Sequence, residues 1–140
     1  MKAVLVPIDG SECSLQAVRY LISARANGQR PLVHLLNVQP AMTGDVGQFV
    51  ARSDIDDYRR GQSEQALREA RSLLDGAGVE YQLHTDVGHA ADCIVHRSEA
   101  LACDHIVMGT HGRTPLAEVL VGSTTLRVLH QTHLPVLLVK

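Results

Sequence analysis

The residues whose types and spacing suggest chemistry are three glycines and two hydroxyls, Gly109-x2-Gly112-x9-Gly122-Ser123-Thr124, behind the short apolar run His105-Ile106-Val107-Met108. That run reads as a buried strand, so the glycines fall where the chain leaves a strand and enters a helix. An anion such as phosphate is held by backbone N–H groups aimed at it, and residues without Cβ let a chain wrap closely around it. Ser123 and Thr124 open the run Leu126-Arg127-Val128-Leu129-His130, which puts their hydroxyls and amides at a helix N-terminus, where the macrodipole favours negative charge. Arg113 brings a cation to the same loop, solvated surface being its other reading.

The hydrophobic pattern supplies the elements that must position this loop. Lys2 to Ile8 is a nearly continuous apolar run, as expected of a strand buried on both faces of a parallel sheet, and Asp9-Gly10-Ser11 ends it. A helix with Leu15, Val18, Leu21 and Ile22 at helical spacing follows and stops near Asn27-Gly28. Pro31 to Val38 is a second strand, and the weakly periodic stretch from Gln39 to Ser53 reads as a loop. Ser53-Asp54-Ile55-Asp56 has the form of a capping box, predicting a long helix with Ala66, Leu67, Ala70, Leu73 and Leu74 as its apolar stripe and an end at Gly76 to Gly78. Val79 to Val87 reads as an outer strand, and Gly88-His89 leads into a short helix burying Ala91, Ile94, Val95 and Leu101. Thr114-Pro115 resembles an N-cap and first helical residue, predicting a brief helical turn over Leu116 to Val121. A helix from Ser123 to about Gln131 and a fifth strand from Leu134 to Val139 complete the pattern.

Alternating strands and helices predict one doubly wound α/β domain over residues 1–140. In such sheets ligands bind beyond the carboxyl ends of the strands, where the strand order reverses. Asp9, Val38 and the glycine loop all stand near such ends.

Composition narrows the function. One Phe, three Tyr and no Trp leave an aliphatic core. A net charge of -2 and a pI near 6.4, with basic residues interleaved among acids, provide no basic stripe and argue against a nucleic-acid partner. No apolar stretch reaches membrane-spanning length and the first residues are strand-like, so no membrane association and a cytoplasmic location are expected. Cys13, Cys93 and Cys103 lack CxxC spacing and read as small hydrophobes in a reducing compartment, with a redox sensor as the alternative. His130 and His133 are three apart where a helix is ending, and His84, His89 and His96 fall on different elements, so the histidines read as surface or internally satisfied groups.

The pattern Gly-x2-Gly-x9-Gly-Ser between a strand and a helix is similar to the nucleotide-binding signature of the universal stress protein family, in its ATP-binding branch. The resemblance extends to Val4-Leu5-Val6-Pro7-Ile8-Asp9-Gly10-Ser11 and Leu134-Pro135-Val136-Leu137-Leu138-Val139, and is weakest from about Pro40 to Arg60. It implies a five-stranded parallel sheet of order 3-2-1-4-5 with helices on both faces, an adenine nucleotide alpha hydrolase-like fold. It implies ATP or another adenine nucleotide, with Pro7 and Val38 framing the adenine and the Val38 main chain supplying a hydrogen bond. Met108 would line the cleft through its backbone, Gly109 and Gly112 would approach ribose and phosphate, and Gly122, Ser123 and Thr124 would meet the β- and γ-phosphates. Mg²⁺ would be held mainly by the phosphates and water. A homodimer through antiparallel pairing of Val136 to Val139 is implied as well, consistent with an apolar strand edge. Asp9 has two readings, a ribose contact or an N-cap or turn aspartate. Val87 directly precedes Gly88, a departure from the family's Val-x-x-Gly region that argues against an adenine contact by Val87.

Rival functions lack their residues. A nicotinamide or flavin enzyme wants Gly-x-Gly-x-x-Gly after strand one and an acid after strand two, where Asp9-Gly10-Ser11 and Asn37-Val38 stand. A P-loop enzyme wants Gly-x4-Gly-Lys-Ser/Thr, and no lysine occurs in this loop. The expectation is an ATP-binding regulatory or stress-response module, not an enzyme. The alternatives are a non-nucleotide interaction module of the same fold and a slow ATPase.

Overall fold

A computed structural model describes residues 1–42, 51–110 and 121–140. Along the chain these form β1 (Ala3–Pro7), α1 (Glu12–Ala26), β2 (Leu32–Gln39), α2 (Arg52–Gly76), β3 (Tyr81–Val87), α3 (Ala90–Ala100), β4 (His105–Gly109), α4 (Ser123–Gln131) and β5 (Val136–Val139). Every strand pair is parallel and the order across the sheet is β3-β2-β1-β4-β5. This is the 3-2-1-4-5 sheet that the resemblance implies. The chain winds outward from β1 through β2 to β3, then crosses to the other side for β4 and β5. The reversal falls between β1 and β4.

Because side chains alternate across a strand, the apolar runs feed two cores. On one face Val4, Val6, Val33, Leu35 and Val107 pack with Leu15, Val18 and Leu21 of α1 and Leu67, Ala70 and Leu74 of α2. On the other, Leu5, Leu36, Ile106 and Met108 pack with Ala91 and Ile94 of α3 and Val128 of α4. Each fully buried aliphatic side chain contributes about 1.5–3 kcal/mol, so the cores need no aromatic residue.

Element ends follow local chemistry, with three departures from the sequence reading. Ser11 caps α1 by accepting the Ser14 N–H at 3.2 Å, and Gly28 takes φ +90° after the Asn27 C-cap. The capping box at Ser53 is not realised. Helix α2 starts two residues earlier than that box implies, Ala51 is its cap residue, and no side chain caps it among the described residues; the Ala51 carbonyl accepts the Asp54 and Ile55 N–H groups at 3.0 and 3.2 Å. Ser53 thus lies inside the first turn, at an exposed helix end where water satisfies the amides about as well as a hydroxyl does. Val79 belongs to the turn ending α2, where its N–H bonds the Leu74 carbonyl at 2.9 Å and Gly78 has φ +64°, so β3 begins at Tyr81. Leu134 likewise precedes β5, its N–H taken by Thr132 Oγ1 at 3.0 Å. The helical turn expected over Leu116 to Val121, Val121 itself excepted, and most of the loop after Gln39 lie outside the described residues.

Candidate functional site

At the reversal point a cavity of about 260 Å³ opens beyond the carboxyl ends of β1, β2 and β4. It is lined by the apolar residues Ile8, Leu36, Val38, Ala90, Ile94 and Met108, by the polar residues Asp9, Ser14, Ser123, Thr124 and Thr125, and by Pro7, Gly109 and Gly122. Of the ten residues assigned from sequence, eight (Pro7, Asp9, Val38, Met108, Gly109, Gly122, Ser123 and Thr124) line this one crevice. Gly112 and Arg113 lie outside the described residues.

Strand periodicity explains part of the apolar lining. Leu36 and Val38 share a face of β2, and Met108 projects from β4 to the same side. The last β1–β2 pair is Pro7 with Leu36, and the Ile8 N–H reaches the Leu36 carbonyl at 2.8 Å. In a parallel ladder residues two apart present their main-chain groups to the same neighbour, so the Val38 N–H and C=O face past the end of β1 toward the crevice.

The hydroxyl residues Ser123, Thr124 and Thr125 of the lining come from α4. Its N-cap is Gly122 and no side chain caps it among the described residues. The Gly122 N–H bonds the Thr110 carbonyl at 2.7 Å, joining the ends of the segment between them, and Thr125 Oγ1 bonds the Gly109 carbonyl at 3.4 Å. The Gly122 N–H is thus taken by a main-chain carbonyl, and the amides of the first turn of α4 follow it. Gly122 also has φ -68° and ψ 159°, a conformation open to any residue. Gly109 lines the crevice and is also pressed against α1. A Cβ there would lie 2.5 Å from the Cys13 carbonyl carbon and 3.1 Å from the Ser14 N, so it is helix α1 that needs the close approach.

Asp9 combines its two readings in part. Its Oδ1 accepts the Ser11 N–H at 2.9 Å, the turn role, while the residue lines the crevice. Helix α3 also points its first turn at the cavity through Ala90; its N-cap, His89, makes no side-chain cap bond. Arg127 Nη1 lies 3.0 Å from His89 Nε2 and Gln131 donates to Asp92 Oδ1 at 3.0 Å, fastening α3 to α4. The sequence reading missed Ile8, Ser14, Leu36, Ala90, Ile94 and Thr125 as lining residues. The period-two step from Val38 back to Leu36 was the available signal for one of them; the others carry no pattern of their own.

Val87 lies half exposed and away from this crevice. Burial pushes the Cys93 and Cys103 thiols up from their ordinary value, which leaves them protonated and weakly nucleophilic. Among the described residues no three His, Cys, Asp or Glu side chains are grouped to hold a metal ion, and no helix is long and apolar enough to cross a membrane.

A five-stranded parallel sheet with a crevice at its reversal point, lined by apolar side chains, hydroxyls and helix N-termini, places the chain in the doubly wound α/β class. The Universal stress protein family model matches residues 1–140, and the chain belongs to that family. Universal stress protein MJ0531 of Methanocaldococcus jannaschii is 31% identical over 147 residues, covering 99% of this chain and 82% of the relative. Other curated relatives are longer, the chain spanning 41% and 47% of two of them. The solved structure of MJ0577 from the same organism superposes with a TM-score of 0.83 at 28% identity, covering 99% of this chain and 95% of that one. A universal stress protein solved in complex with cAMP superposes with a TM-score of 0.71 at 25% identity, covering 99% and 97%.

Proposed function

We propose that this chain binds an adenine nucleotide, ATP above others, in the crevice between β1 and β4, and serves as a nucleotide-responsive regulatory module instead of a fast enzyme. The observation that carries this reading is the joining of two opposite environments in one cavity. An apolar slot beside the outward-facing Val38 main chain suits a flat heterocycle, while the uncapped first turn of α4, with Ser123 and Thr124, suits phosphate. Asp9 lines the same crevice, where a carboxylate accepts hydrogen bonds from a ribose. The relative solved with cAMP, an adenine nucleotide, adds support at 25% identity. Mg²⁺ is held by the phosphates and water, since Asp9 is the one carboxylate lining the crevice among the described residues. The same scarcity favours slow or no turnover, because a hydrolase needs a group to orient water at the terminal phosphate. A second subunit joins through the free edge of β5.

Mass spectrometry of protein purified without added nucleotide, followed by calorimetry with ATP-Mg, tests the reading. Saturation at one hundred times Kd is expected to stabilise the fold by about 2.7 kcal/mol, read as a rise in the thermal midpoint. Absence of a bound nucleotide together with no affinity at millimolar ATP-Mg overturns it.

A further inference from the structure

Asn37 is 2% exposed and lies outside the crevice lining, yet it is tied to the residue that precedes Asp9. Its Nδ2 donates to the Ile8 carbonyl at 2.8 Å, and its Oδ1 accepts from Ser63 Oγ of α2 and from Gln39 Nε2, both at 2.8 Å. The Ile8 carbonyl can only accept, which assigns the amide orientation. The Ile8 N–H is held in turn by Leu36. Ile8 is therefore fixed at both its polar groups just as the chain leaves β1. Gly10 then turns with φ +84°, a Cβ there would lie 3.3 Å from the Ala66 Cα of α2, and the Ser11 N–H holds Asp9 Oδ1. From Ile8 to Ser11 each link is constrained, and two of the constraints come from α2.

A buried amide is a poor choice for stability alone. An aliphatic side chain would serve the core of β2 at least as well, whereas a satisfied polar network specifies one arrangement among several. We propose that Asn37, anchored by Ser63, is a positioning residue for Asp9, and that the network sets how the crevice discriminates a ribose bearing its hydroxyls from one lacking them. This rests on the adenine-nucleotide reading above. Helix α2, which touches no ligand in that reading, thereby acts on the ribose through Asn37.

The experiment is calorimetry with ATP-Mg and with 2′,3′-dideoxyATP-Mg on the wild type, Asn37→Ala, Ser63→Ala and Gln39→Ala. The wild type is expected to prefer ATP. Asn37→Ala is expected to lose about tenfold in ATP affinity, and Ser63→Ala about threefold, with dideoxyATP changed less than about twofold. The fall in the ratio is the readout that a general loosening of the fold would not produce. Should Asn37→Ala fail to fold, Ser63→Ala and Gln39→Ala decide. Equal losses for the two nucleotides, no loss for either, or a wild type that binds both equally would each overturn the positioning role. A wild type that binds neither nucleotide overturns the adenine-nucleotide reading itself.

Discussion

Gly109, the last residue of β4, passes so close beneath the first turn of α1 that a Cβ on it would lie 2.5 Å from the carbonyl carbon of Cys13. The obstacle is helix backbone, which cannot rotate aside as a side chain would. Gly109→Ala is therefore expected to destabilise the nucleotide-free protein by about 1–3 kcal/mol, as overpacking does. Urea denaturation without ligand checks this, and an unchanged midpoint would mean that α1 shifts freely over β4.

Gly122 makes the contrasting case. Its φ of -68° and ψ of 159° suit a branched residue, and the bond from its N–H to Thr110 does not involve a side chain. Gly122→Val is expected to keep the fold, with a denaturation midpoint near that of the wild type, while its side chain enters the crevice and removes nucleotide binding. Calorimetry and denaturation together check the split. Retained ATP affinity would place the phosphates elsewhere.

His34 Nδ1 lies 3.0 Å from His84 Nε2, a pair across β2 and β3 in which one ring must stay neutral to accept the proton of the other. Burial lowers the pKa of both below 6.5, and His34 and Arg97 lower His84 further while Asp86 opposes them. A histidine whose folded value is depressed binds its proton more readily when unfolded. Its stabilising contribution is full above pH 6.5 and is lost as pH falls from there toward the folded value. Urea midpoints measured from pH 8 to 5 are expected to hold and then drop below 6.5, and His84→Asn is expected to flatten the drop. A midpoint independent of pH across that interval would refute the assignment.

Much of this architecture is legible in residue order. The runs around Val4, Leu35 and Ile106 announce buried parallel strands because both faces are covered. Asp9, Val38 and Ser123 fall in the crevice because strand ends converge there in any doubly wound sheet. The order of the strands came from resemblance, since periodicity says which residues are buried and nothing of which strands are neighbours. Ser14, Ala90 and Thr125 were illegible for a related reason: small residues in the first turns of helices become lining only once the helices are aimed. The approach of α1 to Gly109 was not legible because an absent side chain does not say which neighbour comes close. Asn37 gave no signal at all, as a lone amide at a strand end reads as polar surface until Ser63 and Ile8 are brought to it.

The free edge of β5 leads to a statement about assembly. The Ile106 N–H bonds the Pro135 carbonyl at 3.0 Å and the Thr110 N–H bonds the Val139 carbonyl at 3.2 Å, so the odd-numbered residues of this segment turn their main-chain groups toward β4. Val136 and Leu138 turn theirs to the open edge, and Val136 to Val139 remain only half buried in the single chain. An apolar edge strand whose outward groups meet no other strand among the described residues invites one, and the resemblance implies that this strand is β5 of a second copy. Light scattering at micromolar concentration is expected to give twice the 15.2 kDa chain mass. Val136→Pro removes an outward N–H at the first residue of the strand, where proline is tolerated, and leaves the bonds to β4 in place. It is expected to yield a monomer with an unchanged circular dichroism spectrum, whereas a wild type that scatters as a single chain would rule out pairing through β5.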